Sequence, residues 1–123
     1  MIAGVGIDLC EVARMERACQ SDAFCRRVFT AEELDLAGNS PERFRHLAGF
    51  FAAKEAFAKA TGLGLSKVGL HNVSVVHDDR GRPQLCLSES ATLKPYRAAR
   101  FHLSISHERS LAAAVVIYET EGA

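Results

Sequence analysis

Two carboxylates in separate parts of the sequence are the residues best suited to chemistry. Asp8 follows an apolar run over residues 2–7, and Glu55 lies within a long stretch that has helical apolar spacing. A carboxylate among buried apolar residues is costly unless it is paired or bound to a cation. Two such groups suit Mg²⁺, which prefers oxygen ligands and takes few of them from the protein. The pair therefore predicts a magnesium site of the kind that serves phosphoryl transfer.

Each of these residues could instead have a purely structural role. Asp8 could be the N-cap of a following helix, a position that Asp fills well. Glu55 and Lys59 are four residues apart, and such pairs often form a surface ion pair of about 0.3–0.5 kcal/mol. His107 follows two nearby serines and could serve a phosphate, act as an acid or base, or be an ordinary turn histidine. The serines do not match a nucleophile elbow, so a serine hydrolase is not predicted.

The first third of the chain is predicted to contain a strand and short helices. Residues 2–9 are β-branched and glycine-rich, which predicts a buried strand that ends at Asp8. Residues 11–20 and 22–29 have the apolar spacing of helices. These pieces would place Asp8 at the edge of the core.

Two further helices are predicted from their starting residues. Thr30 to Glu33 is a capping box, so a helix is predicted from there to about Gly38. Ser40-Pro41 combines a cap with a proline at the first helical position. The longest helix, roughly 20 residues, is predicted to run from there to Gly62 and to carry Glu55.

The last part of the chain is predicted to be mainly β-structure. Residues 73–76 and 84–87 are predicted to form a hairpin, since an acidic, glycine-containing turn separates them. Residues 88–100 are predicted to be helical at first and then interrupted by a proline. Residues 101–106 and 111–118 are predicted to form two more strands that pair with each other.

This order of elements predicts an α+β fold in which a largely antiparallel sheet packs against a long central helix and shorter helices. A doubly wound fold is disfavoured because no βα units repeat. The length of 123 residues fits a single domain over residues 1–123. The hydrophobic fraction of 48% and the charged fraction of 24% are typical of a packed soluble domain.

The charge balance argues against nucleic acid and membranes as partners. Fifteen basic residues match fifteen acidic ones, so the chain has no overall field that attracts polyanions. Eleven of the basic residues are arginines, which suit bidentate contacts with phosphate and carboxylate, although a solvated charged face is about as common. Any anion binding is therefore predicted to be local.

The cysteines and the apolar start point to a cytoplasmic protein. The four cysteines lack the spacing of zinc sites and are interpreted as reduced, mostly buried thiols. They are Cys10, Cys19, Cys25 and Cys86. The apolar start lacks the basic region of a secretory signal, and no later stretch is long enough to span a bilayer. A cytoplasmic location is therefore expected.

Four short motifs, in this order and over nearly the whole chain, resemble those of the holo-acyl-carrier-protein synthases, the short trimeric type of 4′-phosphopantetheinyl transferase. They are Gly6-Ile7-Asp8, Phe51-x-x-Lys54-Glu55-Ala56, Gly81-Arg82-Pro83 and Ser104-x-Ser106-His107. Each motif is weak alone, whereas their order and spacing together are specific.

The resemblance implies transfer of 4′-phosphopantetheine from coenzyme A to a serine of apo acyl carrier protein, as in fatty-acid biosynthesis. The serine hydroxyl would attack the β-phosphate and release adenosine 3′,5′-bisphosphate. By motif position, Asp8 and Glu55 would hold Mg²⁺ against the pyrophosphate, and Lys59 would balance further phosphate charge. Asp8, Glu55 and a metal-bound water are the candidates to accept the serine proton.

The resemblance also implies which residues would bind coenzyme A. Those expected beside the adenine and ribose are Gly81, Arg82 and Pro83. Those expected near the phosphates are Ser106 and His107, with Arg43 and Arg45 reaching the 3′-phosphate.

Members of this family are trimers with active sites between neighbouring subunits, so a homotrimer is expected. They recognise the acidic helix of the carrier protein through an early basic helix. The matching residues here are Arg14, Phe24 and Arg27, with Arg26 as an addition.

One position departs from the family pattern. Phe50 stands where the family commonly has arginine, which affects one phosphate or intersubunit contact rather than the metal site.

Two other functions fit the same residues. The chain could be a module that binds carrier proteins without catalysis, or a metal-dependent nucleotide phosphatase that uses the same acidic pair.

Overall fold

The computed structural model describes residues 1–121. Within them the chain forms five strands and five helices, with 3₁₀ turns at Leu70–Asn72 and Lys94–Tyr96. In chain order the elements are β1 (Ile2–Glu11), α1 (Val12–Ala18), α2 (Asp22–Val28), α3 (Ala31–Ala37), α4 (Arg43–Thr61), α5 (Leu65–Val68), β2 (Val73–His77), β3 (Pro83–Leu87), β4 (Arg100–His107) and β5 (Leu111–Glu119).

The strands form two antiparallel sheets. One sheet has the order β1-β5-β4, and the other is the β2-β3 hairpin. Helix α4 packs across the inner face of the three-stranded sheet and is buried along most of its length. The predicted α+β class, the long central helix and the pairings of β2 with β3 and of β4 with β5 are confirmed.

Glycines let β1 lie directly on the backbone of α4. A Cβ atom added at Gly4 would be 1.9 Å from the Ala60 carbonyl oxygen, and one added at Gly6 would be 1.9 Å from the Ala56 carbonyl oxygen. No side chain fits in that space. Because inward positions alternate along a strand, the next inward residue after Gly6 is Asp8. The close contact therefore brings Asp8 against the middle of α4.

The prediction that β1 is buried and ends at Asp8 is wrong. The strand continues to Glu11, so Asp8 lies inside it and is not a helix N-cap. Only the face toward α4 is covered. On the other face Val5 and Leu9 are each 58% exposed and Ile7 is 63% exposed. The error arose because apolar residues on the open face, alternating with inward glycines, give the same sequence pattern as a strand buried on both sides.

Other boundaries follow the predictions with two corrections. The Thr30–Glu33 capping box is formed as predicted, with both reciprocal hydrogen bonds present. Helix α4 begins at Arg43, two residues after Pro41. The helix predicted over residues 88–100 is not formed, and a single 3₁₀ turn with Pro95 at its start is the only helical piece there. Proline prevents a regular helix from continuing through that position.

A fully buried ion pair joins α3, α4 and β2. Lys54 Nζ lies 2.7 Å from Glu33 Oε1, and neither side chain is exposed to solvent. Lys54 also donates to the carbonyl oxygens of Leu70 and Val73. Glu33 Oε2 accepts from the backbone amide of Val75 at 2.8 Å. All three ammonium protons of Lys54 therefore have acceptors, and the pair fixes the helix that carries Glu55.

In the part of the chain that the structure describes, every helix is too short or too polar to cross a membrane.

Candidate active site

Asp8 projects from the inner face of β1 and is only partly satisfied. Its side chain is 10% exposed, and Oδ1 accepts a hydrogen bond from Lys59 Nζ at 2.9 Å. Lys59 Nζ also donates to the carbonyl oxygen of Ile7 at 3.1 Å. The second oxygen, Asp8 Oδ2, is buried and has no hydrogen-bond donor among residues 1–121. Buried polar atoms rarely lack a partner, so this oxygen is placed to accept either a proton shared with Glu55 or a bound cation.

Glu55 lies on α4 beside Asp8, and its pKa is unusually high. Its pKa is raised from 4.5 to about 7, first by burial and then by contact with the Asp8 carboxyl group. Two adjacent carboxylates cannot both ionise without mutual repulsion. The positive charges of Arg14 and Lys59 offset only part of this effect. The pair is therefore suited to share either a proton or a cation.

The donor set fits Mg²⁺. No cluster of three or more His, Cys, Asp or Glu side chains that could hold a metal ion occurs within the described residues. Two carboxylates are nevertheless sufficient for Mg²⁺, since it usually keeps several waters and takes further oxygens from substrate phosphates. The buried, unpartnered Asp8 Oδ2 beside Glu55 offers such a position.

Lys59 pairs with Asp8 rather than with Glu55. The i,i+4 surface pair considered from the sequence is thus replaced by an ion pair between α4 and β1. The Lys59 side chain remains 58% exposed. An exposed ammonium group at the edge of the site can reach a bound anion without leaving the helix.

A cleft next to the carboxylates was not predicted from the sequence. It has a volume of about 340 Å³ and is lined by Glu55, Lys59 and the mainly apolar segment 62–65. In the sequence, Gly62 and Gly64 of that segment predict only the end of the long helix. The cleft is mainly apolar and opens onto the Glu55 and Lys59 side chains.

Arg14 lies between the candidate metal site and the surface of α1. Its guanidinium carbon is 4.9 Å from the centre of the Phe51 ring, a cation–π contact. Phe51 is one helical turn before Glu55, and the Arg14 charge lowers the pKa of Glu55 against the effect of burial. Arg14 therefore connects the predicted carrier-binding surface to the predicted catalytic pair.

The other predicted carrier-binding residues lie on α2. Phe24 is half-buried, whereas Arg26 and Arg27 are exposed. Arg26 forms an ion pair with Asp22 at 3.1 Å. The two exposed arginines of α2 thus lie on the same short helix as Phe24.

His107 belongs to a second group of residues, away from Asp8. Its ring is 5.8 Å from that of His46 in an edge-to-face arrangement. Burial lowers the pKa of His107, and the neighbouring His46 and Arg45 lower it further. His107 is therefore predominantly neutral at pH 7 and can donate or accept a hydrogen bond. Ser106 precedes it on the strand and faces the opposite side of the sheet.

The two arginines predicted to reach the 3′-phosphate have partners within the chain. Arg45 Nη1 lies 2.7 Å from Glu42 Oε2, and Arg45 remains about one-third exposed. Arg43 donates to the carbonyl oxygen of Gly38 at 2.7 Å. Arg43 thus stabilises the end of α3, and Arg45 pairs with the residue that precedes α4.

The turn at Gly81–Pro83 forms a separate site. Asp78 accepts hydrogen bonds from the backbone amide and the guanidinium of Arg82, which fixes the turn. Arg82 and Pro83 line a cleft of about 470 Å³ together with Arg100 and His102 of β4. The walls of this cleft are basic and accessible, as an anionic ligand requires.

A single chain does not bring all the predicted residues together. Asp8, Glu55 and Lys59 converge, as expected. In the sheet register Asp8 aligns with Ala114 and Ile105, whereas His107 lies at the far end of β4 on the other side of β5. Strand spacing alone then separates the backbones of Asp8 and His107 by roughly 10 Å.

Phe50, which departs from the family pattern, is a core residue. It is buried and packs edge to face against His77, with ring centres 6.4 Å apart. Phe50 and Glu55 are five positions apart on α4, so they do not share a face of the helix, and the departure changes neither of the two candidate metal ligands.

Comparisons with known proteins show the family to which this chain belongs. Residues 4–116 match the family described as the 4′-phosphopantetheinyl transferase superfamily. Holo-[acyl-carrier-protein] synthase of Treponema denticola is 44% identical and covers 97% of this chain and 99% of its own length.

Solved structures of the same kind of protein share the fold. The Neisseria meningitidis holo-[acyl-carrier-protein] synthase has a TM-score of 0.86 at 35% identity, covering 98% of this chain and 100% of that one. The Bacillus anthracis holo-(acyl-carrier-protein) synthase, solved in complex with CoA (3′,5′-ADP), has a TM-score of 0.83 at 37% identity over 98% and 99% of the two chains. The chain therefore belongs to the 4′-phosphopantetheinyl transferase superfamily and, within it, to the holo-[acyl-carrier-protein] synthases.

Proposed function

We propose that this chain transfers 4′-phosphopantetheine from coenzyme A to a serine of apo acyl carrier protein, with Mg²⁺ held by Asp8 and Glu55. The observation that carries the proposal is the buried, unpartnered Asp8 Oδ2 beside a Glu55 carboxyl whose pKa is raised to about 7. The whole chain would act as one domain, in the cytoplasm. A relative solved with CoA supports the choice of donor.

Each group at the site would have its own role in the transfer. Bound Mg²⁺ would neutralise charge on the pyrophosphate. Lys59 would turn its exposed ammonium group toward the same phosphates and supply a second positive charge. Glu55 is a better candidate than Asp8 to hold the serine proton, because Asp8 Oδ1 already accepts from Lys59. Holding both reactants in line would lower the barrier further.

We propose that a neighbouring subunit supplies the nucleotide-binding residues. Arg45, His107 and the Gly81–Pro83 turn lie apart from Asp8 within one chain. On the outer face of the three-stranded sheet, Val5, Ile7 and Leu9 of β1 are apolar and exposed, and such a patch commonly marks a subunit interface. In a homotrimer joined through this face, the basic cleft of one subunit would complete the carboxylate site of the next.

Transfer of the phosphopantetheine arm is the direct test of the proposed function. We expect the mass of apo carrier protein to rise by one phosphopantetheine when it is incubated with the protein, coenzyme A and Mg²⁺. Chelation of the metal should stop the reaction. Carrier binding without a mass increase would instead identify a binding module. Hydrolysis of coenzyme A in the absence of carrier would identify a phosphatase.

A charge on the open sheet face should prevent assembly. We expect Ile7→Glu to convert the trimer to a monomer and to reduce turnover at least about 10-fold, because a buried carboxylate at the interface would be unpaired. Light scattering coupled to size exclusion measures the change. Leu36→Glu, at an exposed leucine on α3, is the matched control and should remain trimeric. A monomeric parent protein, or a trimeric Ile7→Glu variant, would contradict the proposed interface.

Charge reversal on α1 and α2 should weaken carrier docking. We expect Arg14→Glu and Arg27→Glu each to raise KM for the carrier roughly 10-fold at low salt, because each replaces an attraction to the acidic helix with a repulsion. The effect should shrink as salt screens the exposed charges. Lys94→Glu, an exposed site on the 3₁₀ turn, is the control. If neither arginine variant changes KM, this surface does not bind the carrier protein.

A further inference from the structure

Two of the four cysteines meet at the junction of α1 and α2. Cys19 follows the last residue of α1, and Cys25 lies in the middle of α2. Their sulfur atoms are 2.9 Å apart, so the two side chains point directly at each other. A disulfide bond has a sulfur–sulfur length of about 2.05 Å. Less than about 1 Å of further approach therefore separates this pair of thiols from a covalent bond.

The two thiols differ in access to solvent. Cys25 is 4% exposed and belongs to the core, whereas Cys19 is only half-buried. A soluble reagent can therefore reach Cys19 first and leave Cys25 behind it as the second partner. Of the other cysteines, Cys10 is buried in β1 and Cys86 is exposed on β3. Neither sulfur has another cysteine as a hydrogen-bonding neighbour within residues 1–121.

We propose that Cys19 and Cys25 form a modification site, at which a small-molecule disulfide such as glutathione disulfide converts the two thiols to a reversible intramolecular disulfide. The Cys19 thiolate attacks one sulfur of the reagent, forms a mixed disulfide and releases one small thiol. Cys25 loses its proton to water and attacks Cys19 Sγ, which releases the second small thiol. Two protein thiols are thereby oxidised and one reagent disulfide is reduced to two thiols.

The surroundings of the pair set the rate of this reaction. Burial raises the pKa of Cys19 to about 12, and the hydrogen bond with Cys25 raises it in the same direction. Only the thiolate attacks a disulfide, so the pair is slow to react at pH 7. The rate should rise about tenfold per pH unit between pH 7 and 9, because the thiolate fraction does so well below the pKa. In a reducing compartment both thiols stay reduced. They form the disulfide only under sustained oxidation.

The bond would link two short helices. Helix α1 buries only Met15, and α2 buries Cys25 and Val28. A bond between Cys19 and Cys25 would hold the two helices at a fixed angle. This modification does not depend on the proposed function, although the same helices carry the proposed carrier-binding arginines.

Mass spectrometry of the intact protein tests the proposal. The parent protein is incubated with excess glutathione disulfide at pH 8.5, digested and mapped. We expect the loss of two hydrogens, a Cys19–Cys25 linked peptide, and reversal by dithiothreitol. Cys86→Ser should give the same Cys19–Cys25 linked peptide, without the glutathione that the exposed Cys86 can take up in the parent, whereas Cys19→Ser should give no linked peptide. The linked protein should unfold at a temperature about 5 °C higher or more.

Three results would overturn the proposal. The first is stable attachment of glutathione to Cys19 without closure. The second is a bond that involves Cys86 or Cys10, within or between chains. The third is a lower unfolding temperature in the linked protein, which would show that the native geometry resists the bond. The mapping is done on the parent protein, so the result does not depend on how any variant folds.

Discussion

Replacing Asp8 with Asn or Glu55 with Gln is expected to lower kcat/KM by about 10³-fold or more, while the protein remains folded. Each change removes one of the two carboxylates that would hold the cation against the pyrophosphate. Losing one preorganised electrostatic contact of this kind typically costs about 10²–10³ in rate, and losing a metal costs more. The measurement is steady-state transfer to carrier protein, alongside thermal unfolding. Glu32→Gln, at an exposed carboxylate on α3, is the matched control and should retain activity.

Glu55→Gln is expected to lower activity without lowering the stability of the metal-free protein. The pKa of Glu55 in the folded protein is about 7, above its ordinary value of 4.5. Protonated Glu55 is therefore favoured in the folded state, and this contribution to stability is complete below about pH 4.5 and lost as pH rises through about 7. Glu55→Gln removes the repulsion, so the metal-free variant should unfold at the same or a higher temperature at pH 8. Retention of more than a tenth of the parent activity in Glu55→Gln would contradict the catalytic role.

Removing the ammonium group of Lys54 is expected to cost about 3–5 kcal/mol of unfolding free energy. Lys54→Met would leave the Glu33 carboxylate fully buried without its cation, and breaking a buried pair in this way typically costs that much. Burial lowers the pKa of Lys54 while the Glu33 carboxylate raises it, and three acceptors around the ammonium group favour its charged form. Urea unfolding at one fixed protein concentration measures the loss, since assembly would make stability depend on concentration.

Two variants separate the ion pair from ordinary packing. Lys67→Met, at an exposed lysine on α5, should change stability by no more than about 0.5 kcal/mol. In a Glu33→Gln background, Lys54→Met should cost at least about 1 kcal/mol less, because the buried negative charge is already gone. A cost for Lys54→Met that equals that of Lys67→Met would show that the pair contributes nothing to the position of α4.

Local sequence signals predicted those parts of the fold that depend on neighbouring residues. Thr30 and Glu33 form the capping box that their spacing predicts. The second role of Glu33, as the partner of Lys54, joins residues that are 21 positions apart. No local pattern distinguishes that lysine from an exposed one. The helix predicted after residue 88 was wrong because Pro95 leaves only one 3₁₀ turn.

The candidate site was predicted in part, for reasons that lie in the packing of β1. The family resemblance joined Asp8 to Glu55, and the structure brings them together. The inward glycines of β1 explain how, since a strand with Cβ atoms at Gly4 and Gly6 could not approach α4. The sequence alone did not reveal that Lys59 pairs with Asp8 or that Arg14 stacks on Phe51. His107 and the Gly81–Pro83 turn lie apart in one chain, so their joint role depends on assembly.

A crystal structure of the protein with coenzyme A and Mn²⁺ would show directly whether Asp8 and Glu55 bind the cation, because the anomalous signal of Mn²⁺ locates the ion. We expect one peak within about 2.2 Å of a carboxylate oxygen of both Asp8 and Glu55, with diphosphate oxygens completing its coordination. A diphosphate bound elsewhere, or an ion that contacts neither carboxylate while both are ordered, would contradict it.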